Sequence, residues 1–153
     1  MTLFFAFLIG LFAGLRSNTP PAAVAWAVYL GWLRFARPLS LVGSLPAVII
    51  LSFFAIIEFM VDKLPHTPKR TGLKGLMVRI VTSGFAGACV SLGGGRSAYV
   101  GVGLGVIGGI AGAFGGYHVR AWLVKSLHLQ DFYVALVEDL IAIGGSLYIV
   151  SRF

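Results

Sequence analysis

Residues 132–150 read FYVALVEDLIAIGGSLYIV, and this stretch decides the fold. A helix needs about 20 apolar residues to cross the hydrocarbon of a bilayer, and this run is long enough. Glu138 and Asp139 interrupt it near its middle. An ionisable group at that depth costs about 2.5–3.5 kcal/mol even on lenient insertion scales, so it needs a partner, water or a job. The two side chains point about 100° apart on a helix, and both cannot face lipid at tolerable cost. At least one turns inward, where Arg16, Arg79 or Arg120 can pair with it. Two carboxylates this close also suit proton or ion exchange.

The same combination recurs along the chain. Arg16 follows the apolar run Thr2–Leu15, and Glu58 and Asp62 lie at the end of the run Leu41–Val61, Asp62 directly after it. The other apolar segments are Pro20–Leu33, Leu76–Leu92 and Ala98–His118. The chain is 58% hydrophobic and 11% charged. Soluble domains carry about 25% charged residues, so a solvated surface is excluded. We expect an all-α polytopic membrane protein forming one transmembrane domain over residues 1–153. The last four segments are long enough to span. The first two have roughly 14 residues each, where about 17 are needed. The expectation is therefore about four full transmembrane helices plus an N-terminal broken or re-entrant helical pair.

The break is Arg16-Ser17-Asn18-Thr19. Thr19 before Pro20-Pro21 predicts a helix start, a hydroxyl cap followed by proline. Free backbone N–H groups there, with the Arg16 guanidinium, make a candidate anion site of the kind used by broken transporter helices. The plainer alternative is an arginine capping a turn or reaching headgroups. Polar backbone at membrane depth is tolerated only when buried in protein or facing water. Glu58 and Asp62, four residues apart, share one helix face. Beside Lys63 they either snorkel to the interface or join the polar centre.

The net charge of +7 does not indicate nucleic acid. The basic residues lie at the ends of apolar runs, and no basic helix stands apart. With six crossings, Arg16, the Lys63–Arg79 stretch, Arg120 and Lys125 share the more basic side, which is expected to be cytoplasmic. The N-terminus lacks a basic region, so a cleaved signal peptide is not expected.

Two glycine rows run through the fifth segment: Gly101, Gly105 and Gly109, then Gly108, Gly112 and Gly116. Spacing four puts each row on one helix face, where backbones can approach closely in lipid. The rows serve either packing inside one subunit or a seam between subunits. Gly103–Gly108 formally matches a dinucleotide-binding pattern, but that pattern needs a βαβ unit and this is an apolar helix.

Cys89 is alone, which excludes an intrachain disulfide and a thiolate cluster. His66, His118 and His128 lack metal-ligand spacing, and no Ser–His, paired Asp or His-Glu-x-x-His arrangement suggests a membrane protease. We expect no enzyme, no metal and no cofactor.

The strings Gly14–Pro20 (GLRSNTP), Glu58–Pro65 (EFMVDKLP), Pro68–Thr71 (PKRT), Gly115-Gly116-Tyr117 with Arg120, and Glu138-Asp139 resemble the motifs of a bacterial family called domain of unknown function 4126. The resemblance covers nearly the whole chain. It implies a multi-span protein of the bacterial inner membrane, with these polar motifs as its site candidates. It implies no activity.

Two functions fit these readings. The first is a small transporter or channel in which Arg16, Ser17, Asn18 and Thr19 face Glu58, Asp62, Glu138 and Asp139, with Arg120 as a pairing partner. The carboxylates would handle protons or cations, and Arg16 would hold an anionic group or neutralise them. The second is a structural, assembly or lipid-organising subunit held by the glycine rows. A chain this small encloses a solute path only with difficulty, so we expect a homo-oligomer. Its other expected partners are membrane lipid and a small ion or anionic solute.

Overall fold

The computed structural model describes residues 1–61, 72–127 and 130–153. Asp62, His66, His128 and the motif Pro68–Thr71 lie outside the described residues. Within them the chain forms six α-helices: α1 (Thr2–Leu15), α2 (Thr19–Tyr29), α3 (Leu45–Val61), α4 (Leu73–Gly93), α5 (Ala98–Leu127) and α6 (Asp131–Val150). Helices α4, α5 and α6 are long and apolar enough to cross a membrane, while α1 and α3 are shorter apolar helices.

The run Leu41–Val61 is divided. Leu39–Gly43 forms a 3-10 turn, Ser44 is extended, and α3 begins at Leu45. Pro46 falls in the first turn, where its missing N–H costs no helical bond. Two other helices exceed the sequence reading: α4 starts before Leu76, and α5 runs past His118 to Leu127. Arg79 and Arg120 are therefore helical residues, not loop charges.

Helix α5 is packed between α1 and α4 and touches α6 only lightly. Glycine explains how three backbones come so close. A Cβ at Gly105 would overlap the Ser83 carbonyl, and one at Gly101 the Gly87 carbonyl, both on α4. A Cβ at Gly109 would strike the Ser83 side chain. On the other face, Gly108 and Gly112 abut the carbonyls of Phe7 and Leu11, and Gly116 abuts Leu15. The first row thus serves α4 and the second serves α1, all within one chain. Gly10 and Gly14 answer from α1 by admitting the carbonyls of Gly105 and Gly109.

Helices α1 and α4 are antiparallel: Thr2 lies against Gly94, and Arg79 reaches Gly14. The chain then folds back. Leu33, just beyond α2, packs on Gly93, and Phe5 meets Phe153 with ring centroids 6.2 Å apart. Helices α1 and α2 therefore form a hairpin with Arg16–Asn18 at its tip. The tip lies beside Arg79, six residues and roughly 9 Å inside the start of α4. Helix α3 runs antiparallel to α2, tied by a 3.1 Å bond from Trp26 Nε1 to Ser52 Oγ. The apolar core, with Ile9, Val24, Val90 and Ile149, fills the space between the hairpin, α4 and α6.

Candidate functional site

A helix end leaves backbone groups without intrahelical partners, and the tip of the hairpin has two such ends side by side. Helix α1 stops because Arg16 turns extended, at φ −135° and ψ 109°. Its last carbonyls are met by Arg79 of α4, whose Nη1 donates to Gly14 O and, at 3.0 Å, to Leu15 O. A cation at this end also complements the helix dipole.

The start of α2 is met by the opposite charge. The Glu58 carboxylate of α3 accepts from the Ser17 N–H at 2.8 Å, the Ser17 hydroxyl at 2.7 Å and the Asn18 N–H at 2.8 Å. The cap differs from the sequence reading. Asn18 occupies the cap position, Thr19 is already helical, and no side chain of α2's own start makes the cap bond. A carboxylate accepts stronger bonds than a hydroxyl, so Glu58 does the work expected of Thr19.

Arg16 itself pairs with Asp139 of α6, and each side chain is only 2% exposed. Asp139 stands on the buried face of α6 with Ala135, Ala142 and Ser146. Glu138, one residue earlier, turns toward α5 instead, and its Oε2 lies 3.7 Å from Arg120 Nη1. Arg120 also makes two bonds to the Asp131 carboxylate, at 2.6 and 2.5 Å. Asp139 thus pairs with the arginine at the helix break, while Glu138 approaches one on α5.

A cavity of about 410 Å³ opens onto the second pair. Leu15, Val119, Tyr133 and Ile141 form apolar walls, and Arg120 and Glu138 supply the polar groups. Gly116 leaves the space between Leu15 and Glu138 Oε1 unfilled by a side chain. Among the described residues, no three His, Cys, Asp or Glu side chains gather as a metal site.

The structure brings Arg16, Ser17, Asn18, Glu58 and Asp139 to the hairpin tip and sets Arg120 and Glu138 beside the cavity. Asp62 lies outside the described residues. One member has a role the sequence reading did not give it, and one had gone unnoticed. Arg79, offered by the sequence only as a partner for Glu138 or Asp139, closes the end of α1, and it is 5% exposed. Asp131 is an acid in the first turn of α6, a position that also suits the helix dipole.

The family profile described as Domain of unknown function (DUF4126) matches residues 3–151. The chain belongs to this family. The motif resemblance drawn from Gly14–Pro20 through Glu138-Asp139 agrees with that membership, and the three long apolar helices make this DUF4126 protein a membrane protein. No curated protein and no solved structure matches it.

Proposed function

We propose that the protein is a small multi-pass transporter or channel of the bacterial inner membrane, working as a homo-oligomer through its buried arginine–carboxylate centre. In this reading α3 to α6 cross the bilayer and the α1–α2 hairpin re-enters it. The observation that carries the proposal is the Arg16–Asp139 pair at a break between two helices, with both side chains 2% exposed. Charges in hydrocarbon are costly, and broken helices at depth are a device of transporters.

A proton or cation arriving at Glu138 or Asp139 would compete with the arginine that holds it. The cavity beside Arg120 gives such an ion a way to Glu138. Protonation of Glu58 would weaken three bonds at the start of α2 and bare an anion-binding helix end. Proton and anion movements could then be coupled through one hairpin. Both glycine rows are occupied inside the chain, which favours this reading over assembly through those rows.

The test is proton flux into liposomes holding an entrapped pH dye, driven by a potassium diffusion potential. Glu138→Gln is expected to abolish the flux while helicity and melting stay unchanged. Undiminished flux in that variant would sink the proposal.

A further inference from the structure

Two hollows that share one wall run from the start of α2 to the end of the molecule opposite the charged break. The first is an apolar groove of about 540 Å³ between α2, α3 and α6, floored by Ala22 and Ala23 and flanked by Ile56 and Leu147. It follows α2 from Thr19 to Leu30, roughly 16 Å, about half of the ~30 Å hydrocarbon core and the depth one leaflet's acyl chain fills. The second is a polar pocket of about 450 Å³ lined by Gly31, Arg34, Gly93 and Ser151. Trp32 lines both. Tryptophan is enriched at the depth where headgroup meets chain.

Charge points the same way. Arg34 is exposed and makes no ion pair among the described residues. Arg37, Arg96 and Arg152 lie at the same end, whereas the described acids Glu58, Asp131, Glu138 and Asp139 all lie toward the other. An apolar slot leading to an exposed guanidinium that makes no ion pair among the described residues matches an amphipathic anion.

We propose that this composite site holds one anionic glycerophospholipid of the surrounding bilayer, with an acyl chain in the groove and its phosphate on Arg34. The groove begins at Thr19, beside the charged break, but its lipid binding does not depend on transport.

Trp26 and Trp32 both line the groove, so they report its occupant. A Trp122→Phe variant removes the remaining tryptophan, on α5. It is reconstituted into vesicles of phosphatidylcholine and phosphatidylglycerol in which one or the other carries brominated chains. Bromine quenches tryptophan on contact. We expect quenching severalfold stronger from brominated phosphatidylglycerol than from brominated phosphatidylcholine at equal mole fraction. Arg34→Gln should erase that preference, and Arg34→Lys should keep part of it. Equal quenching by the two lipids, or a preference undiminished in Arg34→Gln, overturns the proposal. Should Arg34→Gln fail to fold, high salt on the unaltered site decides: screening must reduce the preference, and a salt-insensitive preference overturns it.

Discussion

Arg79 donates to the carbonyl oxygen of Leu15 at 3.0 Å, so a cation from α4 closes the cut end of α1. Glu58 does the converse for α2, and the hairpin tip is held from two other helices. Replacing Arg79 by leucine removes the described donor to buried carbonyls, which should cost about 1–3 kcal/mol. Glu58→Ala uncaps α2 and should cost about 0.5–2 kcal/mol. Thermal unfolding in detergent reads both, and hydrogen exchange should rise first at residues 16–20. Protection unchanged there would contradict the capping roles.

Breaking the buried Arg16–Asp139 pair from one side leaves an uncompensated charge, at a cost of about 3–5 kcal/mol. Either Arg16→Met or Asp139→Leu alone should destabilise strongly. The two together should restore most of the melting temperature. A double variant that melts normally yet carries no flux would separate the function of the pair from its contribution to stability.

Glycines on α5 should sort by direction. Gly105→Ala places a methyl group on the Ser83 carbonyl and should impair folding. Gly103 faces open space, so Gly103→Ala should be neutral or stabilising by up to about 1 kcal/mol through helix propensity. Paired melting curves of the two alanine variants check this, and equal behaviour would refute the close approach.

Ser146 is fully buried on α6, and its hydroxyl has no hydrogen-bond partner among the described residues. Removing an unsatisfied buried hydroxyl relieves its desolvation cost, so Ser146→Ala should stabilise the protein by about 1 kcal/mol. A lower melting temperature would point to a partner for that hydroxyl.

Much of this was legible in the residues. The helical break at Arg16–Asn18 and the inward turn of Glu138 and Asp139 follow from the cost of charge in hydrocarbon and from helix periodicity. The glycine spacing marked two close-packing faces but not their partners, because spacing carries no information on which helix approaches. The capping role of Arg79 was hidden for a different reason. This residue stands six residues into a helix whose first turns are polar enough to read as loop, so its burial depends on neighbours far along the chain. The capping of α2 by Glu58 joins residues 40 and 41 positions apart, a tertiary choice that local cap rules for Thr19 cannot anticipate.

The unequal helix lengths bear on the bilayer itself. Helix α3, with Phe53, Phe54 and Ile56 exposed, has 17 residues and a length of roughly 25 Å, whereas the 30 residues of α5 reach roughly 45 Å. One flank is thus shorter than the ~30 Å hydrocarbon core and the other longer. In the proposed arrangement, lipid beside the described part of α3 thins to meet it, while α5 tilts or projects. That arrangement would impose a lateral gradient of membrane thickness, making the protein's stability and placement responsive to the chain length of the lipids around it.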